Sequence, residues 1–287
     1  MRNNEERLGA KEFASAAPPP VPAIESNTNE KPLLDFVAPT DFVELPSKGK
    51  FYPVGHFLHG KESLEIRQMT ARDEDILTST ALLKQGVAIE RLLQNLVVEN
   101  VNINELLIGD RNAVLVTART SAYGSEYETK VQCPICNQIS EHKFDLNEVA
   151  IINGGEENKI EGATSNGDGN FIIKLPNSKV DVEVRLLTGE DEKRTAATAE
   201  KNKKYNLPEF GWTDQLKTFL VSVNGVSDPG VIGNFVNNMP AKDSRYIRTK
   251  YAELVPNVDL TQYFVCTHCF SETRMEVPFT ADFFWPR

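Results

Sequence analysis

The chain has 287 residues, of which 40% are hydrophobic and 25% charged, enough for a core in one large domain or two ordinary ones. Its net charge of −10 argues against DNA or RNA as the default partner, because phosphate binding rests on Lys and Arg. No apolar run approaches the roughly 18 residues needed to cross a bilayer. The start MRNNEERLGAKEF lacks an apolar signal core, which points to an intracellular protein.

Residues 1–40 hold 6 of the 16 prolines and a polar run from Glu25 to Lys31. They bury too little apolar surface to offset their ordering entropy and read as a disordered tail. A first unit is expected over 41–146. Its segment FVELPSKGKFYP (42–53) reads as a hairpin loop or docking segment. Leu64–Arg67 alternates as a strand does. Thr70 and Asp73 have the spacing of a capping box, so a helix should start there. Apolar positions from Leu82 to Val97 continue at helical spacing, with a break at Gly86. A further helix should follow Asp110, cover Ala113 to Ala122 and stop before Gly124. A strand over 127–132 leads into Cys133-Pro-Ile-Cys136, and His142–Leu146 reads as its partner.

Residues 147–170 are rich in Gly, Asn and Glu and read as a flexible linker or insertion. The tail carries −2 and this segment −4, leaving −4 for the rest. A second unit is expected over 171–287. Val180–Leu187 should be a strand, and Thr188 with Asp191 should cap the next helix. The pattern Arg245–Leu254 should be helical up to Pro256. A strand over 261–265 leads into Cys266-Thr-His-Cys269, and Arg274–Phe279 should pair with it.

The two units share an ordered set of blocks. LEIRQMTARDE (64–74) matches VEVRLLTGEDE (182–192) at five of eleven positions. Leu45-Pro46-Ser47 matches Leu175-Pro176-Asn177 upstream, and Asp110, Cys133 and Cys136 match Asp243, Cys266 and Cys269 downstream. That common order predicts an internal duplication. The fold class expected is α+β, with two related units joined by one composite, zinc-ribbon-like site.

Each C-x-x-C pair sits between two strand-like segments, as a zinc knuckle does. Two knuckles supply the four thiolates of a tetrahedral structural Zn²⁺. Cys133, Cys136, Cys266 and Cys269 are therefore expected to hold one ion that clamps the units together. The same four ligands also serve an Fe–S cluster. A thioredoxin-like redox pair would open a helix after a strand, which neither pair does. His268 and His142 lie near the knuckles but are not needed as ligands. His56 and His59 form an H-x-x-H in a segment with loop character, where a solvated loop is the expected reading. The acids at Asp73 and Asp191 fit a helix N-terminus better than acid–base work. No Walker A, G-x-S-x-G, H-E-x-x-H or dinucleotide motif is present, so an enzyme is not expected. Phe283, Phe284 and Trp285 near the C-terminus are candidate partner-binding residues, with packing over the zinc hairpin as the competing reading.

The runs LPSKGKFYP…LHGKESLEIRQMTARDEDIL (45–77) and LLIGDRNAVLVTARTSAYGSEYETKVQCPIC (106–136) resemble the baseplate hub proteins of T-even-like contractile-tailed bacteriophages. The resemblance is close over about residues 40–150 and looser over the second unit. It implies a structural or assembly role in the central hub, exerted by binding other baseplate and tail proteins. It carries over no catalytic residue. It further implies a location in the virion tail baseplate, or in the host cytoplasm during assembly, with neither membrane nor nucleic acid as partner. The alternative reading is a zinc-ribbon regulator that binds nucleic acid, which would show a steep loss of affinity with salt.

Overall fold

The computed structural model describes residues 38–154, 160–167, 169–206, 211–278 and 281–284. Of the expected tail over 1–40, residues 1–37 lie outside the described residues, as does Trp285, while Thr40 already opens a strand. The chain from Ala38 onward forms one compact unit.

Strands β1 (Thr40–Glu44) and β2 (Ser63–Arg67) pair antiparallel, with Val43 opposite Leu64. The loop between them turns at Lys48 and Gly49, both with positive φ. A Cβ on Gly49 would lie 2.3 Å from the Lys61 nitrogen, so only glycine fits this close backbone crossing. Helix α1 (Ala71–Thr78) starts at a capping box in which Asp73 reaches back to the Thr70 N–H at 2.9 Å. Helices α2 (Thr80–Lys84) and α3 (Ala88–Leu96) flank Gly86, whose φ of 69° breaks the helical path. Leu92, Leu93 and Leu96 of α3 are buried.

Helix α4 (Ile108–Tyr123) crosses the core and stops at Gly124, φ 81°. Strands β3 (Glu126–Gln132) and β4 (Ile139–Asp145) form the first cysteine hairpin. The segment 147–170, expected as a flexible linker or insertion, carries short strands among its described residues. β5 (Ala150–Ile152) pairs with β10 (Asn257–Asp259), and β6 (Ala163–Ser165) opens an antiparallel sheet. That sheet has the order β6, β7 (Asn170–Lys174), β8 (Asp181–Arg185), β9 (Leu220–Val223). Phe171, Ile173, Val182 and Val184 bury its inner face, as period-two alternation requires.

Helix α5 (Gly189–Lys204) leaves β8 through a second capping box, in which Asp191 accepts from the Thr188 N–H at 3.1 Å. α6 (Trp212–Phe219), α7 (Pro229–Asn238) and α8 (Ala241–Leu254) follow. β11 (Thr261–Val265) and β12 (Glu272–Glu276) make the second cysteine hairpin. A 3₁₀ turn over Ala281–Phe284 closes the described chain.

The two halves of the sequence interlock. At the start of α4, the Ile108 N–H donates to Leu187 O at 3.1 Å, and the Gly189 N–H donates to Leu106 O at 3.0 Å. Arg111 of α4 also pairs with Glu192 of α5. Gly109 packs so close to the segment after α8 that an added Cβ would lie 2.0 Å from Pro256 O.

Candidate metal centre

β3 delivers Cys133 into a turn closed by two backbone hydrogen bonds. The Cys133 N–H donates to Gln138 O and the Asn137 N–H to Cys133 O, both at 2.9 Å. β11 delivers Cys266 into a matching turn. Its N–H donates to Ser271 O and the Phe270 N–H donates to Cys266 O, both at 3.0 Å. The residue after the second cysteine is left-handed in each turn, Asn137 at φ 58° and Phe270 at φ 57°. Asn tolerates this conformation; for Phe it is uncommon and marks a turn under strain. In each turn the first sulfur accepts from the N–H two residues on: Ile135 to Cys133 and His268 to Cys266, both at 3.4 Å.

The hairpins meet through their inner faces. Gln262 of β11 exchanges two hydrogen bonds with the Asp145 backbone, accepting at 3.1 Å and donating at 2.6 Å. The His142 ring stands edge-on to Phe144 at 4.6 Å and to Phe264 at 5.2 Å. This packing brings the four sulfurs within 4.8 Å of one another. The Cys133–Cys269 sulfurs are 3.8 Å apart and the Cys136–Cys266 sulfurs 3.7 Å. Four thiolates about 2.3 Å from one tetrahedral ion would stand about 3.8 Å from each other. The donor set therefore fits a single metal ion.

The electrostatics fit the same reading. Hydrogen bonding, first from the Cys136 backbone, brings the Cys133 thiol down to about 6. Ser271 lowers Cys269 in the same way. Cys136 moves up to about 12: the Gln138 N–H favours its thiolate, but desolvation and the sulfurs of Cys269, Cys133 and Cys266 outweigh it. Adjacent thiolates resist sharing so small a volume, so part of the set keeps its protons. A dication bound there would replace those protons, since only thiolates are ligands.

The structure brings together all four predicted cysteines, two buried, one half-buried and Cys269 exposed. His268 is exposed. His56 stacks on Tyr52 at 4.6 Å, and His59 Nδ1 lies 2.7 Å from Tyr52 O. His59 is held by its own loop, and His56 Nε2 also lies 3.5 Å from Glu105 Oε2. Phe283 and Phe284, read either as partner-binding residues or as packing over the zinc hairpin, are each only 2% exposed. The Arg119 Nε donates to Phe283 O at 2.6 Å, and Phe283 packs against Tyr127 at 5.1 Å. They are core residues under the first hairpin. No signal in the sequence marks this: the buried Arg119 that holds them spends its donors on the carbonyls of Phe283, Gly124 and Glu126.

The carboxylates considered for acid–base work are committed elsewhere. Asp73 accepts both arms of Arg67 at 2.6 and 2.9 Å. Burial raises its pKa, but Arg67 and then the Thr70 N–H and hydroxyl outweigh this and hold it at about 2. Asp191 is likewise held down against burial, by Arg185 first and then by the Thr188 N–H. Asp110 and Asp243, which match in sequence as repeat positions, are a second pair of structural anchors. Asp110 accepts from the Ser47 N–H at 2.9 Å, the Ser47 hydroxyl at 2.6 Å and the Tyr52 hydroxyl at 2.7 Å. Asp243 accepts from the Asn177 and Ser178 N–H groups, both at 2.9 Å.

A family model described as T4 bacteriophage base plate protein matches residues 38–285. The chain belongs to this family. No curated protein and no solved structure gives a significant match. Membership implies a structural role in the phage baseplate, in the virion tail, among other tail proteins. The family points away from catalysis. No helix among the described residues of this baseplate protein is long and apolar enough to cross a membrane.

Proposed function

We propose that this baseplate protein is a component of the central hub, or of the pathway that builds it, and acts by binding other tail proteins. A structural zinc ion held by Cys133, Cys136, Cys266 and Cys269 clamps its two units, 41–146 and 171–287, into one body. The observation that carries the clamp is the convergence of sulfurs 133 residues apart to within 4.8 Å. So tight a set surrounds one ion, whereas bridging sulfides and several irons would hold the ligands further apart. Four thiolates leave no open coordination position, so the ion is structural rather than catalytic.

Duplication of an ancestral unit accounts for the paired geometry. Asp110 anchors the turn at Ser47 as Asp243 anchors the turn at Asn177. Arg67 meets Asp73 as Arg185 meets Asp191. Mass spectrometry of purified virions and of tail-assembly intermediates tests the role. The proposal expects the chain in at least one of them, together with other baseplate proteins. Its absence from both would end the proposal.

A further inference from the structure

The two knuckle turns form one tip of the molecule. The Ile135 N–H lies 3.4 Å from Cys133 Sγ, Phe270 directly follows Cys269, and the Cys133 and Cys269 sulfurs are 3.8 Å apart. Ile135 is 64% exposed and Phe270 78%, so both turns hold a large apolar side chain in water beside the same cluster. Residues 133–139 and 266–271 contain no Asp, Glu, Lys or Arg, in a chain that is 25% charged. The nearest charges along the chain, Lys130, Glu141 and Glu272, belong to the strands behind the tip, and Lys130 and Glu141 face each other at 3.7 Å.

Phe270 is unfavourable twice over. Its φ of 57° lies in the left-handed region, which bulky residues rarely adopt. Its ring is also left in water rather than packed in the core. The turn itself does not need that ring, because Asn137 closes the equivalent turn at φ 58° with a residue that suits the conformation. An aromatic held in a strained, exposed and hydrogen-bonded turn is better explained by what it meets outside the chain.

We propose that this tip is an anchor, whose Phe270 and Ile135 side chains insert into an uncharged apolar pocket on a different baseplate protein. Three observations select that occupant. Without Lys or Arg, the tip offers nothing to the phosphates of nucleic acid or of anionic lipid. Its lack of all four charged residue types matches the charge depletion at the centre of protein interfaces. A second copy is disfavoured by area: two such side chains cover on the order of 300 Å², short of the roughly 800 Å² per partner of a stable complex. Two convex tips meeting head-on would bury little more than that, whereas a concave partner encloses both side chains and adds its own rim. That the partner is a tail protein rests on the baseplate reading.

The test compares phage carrying Phe270→Asn with Ile135→Ser in this chain against phage in which the chain is deleted. Complete tails are counted by electron microscopy, and the purified full-length variants are melted. The deletion should abolish complete tails, and the double variant should lower their number at least about tenfold. Phe270→Asn alone should melt no lower than the natural chain, since Asn suits the turn. A natural yield of tails from the double variant would overturn the anchor and leave the baseplate role standing; a natural yield from the deletion would overturn both. A photo-crosslinking benzoylphenylalanine in place of Phe270, irradiated in infected cells, keeps the test independent of variant stability. The expected adduct is one uncharged, apolar peptide of another baseplate protein. An adduct to a second copy, to lipid or to nucleic acid, or no adduct, would overturn the proposal.

Discussion

Arg185 at the end of β8 donates both arms of its guanidinium to Asp191 in the first turn of α5, at 2.6 and 2.7 Å. The same carboxylate accepts the Thr188 N–H and so caps the helix it begins. One side chain thus fixes the angle between a strand and the helix that follows. Asp191→Asn should lower the unfolding free energy by about 3 kcal/mol, because it leaves a partly buried guanidinium without its charge partner. Urea denaturation reads this as a lower midpoint with an unchanged slope. A change below about 0.5 kcal/mol would place the pair among ordinary surface ion pairs.

The equivalent Asp73 sets an acid limit. Its folded value near 2 lies below its ordinary 3.8, so the unfolded chain takes up the proton first as the pH falls. Its contribution is complete above about pH 4 and disappears between there and about pH 2. Asp73→Asn should therefore flatten that part of the stability profile. An unchanged acid limb in the variant would contradict the assignment.

His142 should set a second limit nearer neutrality. Desolvation between the hairpins lowers its pKa from 6.5, against an opposing backbone hydrogen bond at Tyr263. The folded state thus favours the neutral ring. Its contribution is fully present above about pH 6.5 and is lost as the pH drops through the folded value. The difference in stability between the natural chain and His142→Phe, followed from pH 7.5 to 5, should shift against the natural chain as the pH falls. A difference independent of pH would mean that the ring keeps its ordinary titration.

Gly109 should be irreplaceable. An added methyl would meet the Pro256 carbonyl, a backbone group that cannot rotate away. Gly109→Ala is expected to cost about 3 kcal/mol by overpacking. At Gly86 a Cβ meets nothing, and only the left-handed φ of 69° opposes a side chain. Gly86→Ala should cost about 1 kcal/mol. Thermal unfolding of the two variants compares them directly, and equal losses would contradict the close approach at Gly109.

Local features were readable in the chain itself. The capping boxes are visible as Thr-x-x-Asp, the end of α4 as Gly124, and the knuckles as two C-x-x-C pairs between alternating segments. What escaped depends on contacts between distant residues. β5 is three residues long and exists through β10, more than a hundred positions away. β9 follows α6 without a break and finds its partner in β8. Phe283 and Phe284 have the composition of an interface, and Arg119, 164 residues earlier, holds them in the core. Composition reports that a residue is sticky; only the fold decides what it sticks to. The four cysteines were legible as ligands, but their convergence comes from the packing of Gln262 and Phe264 against the first hairpin.

The clamp is the central claim, and metal analysis of the purified chain tests it most directly. One zinc per chain is expected, with that zinc lost from Cys136→Ser and with a chelated sample melting at a lower temperature, because metal binding contributes folding free energy. A chain without stoichiometric zinc, or one that keeps its zinc after Cys136→Ser, would contradict it.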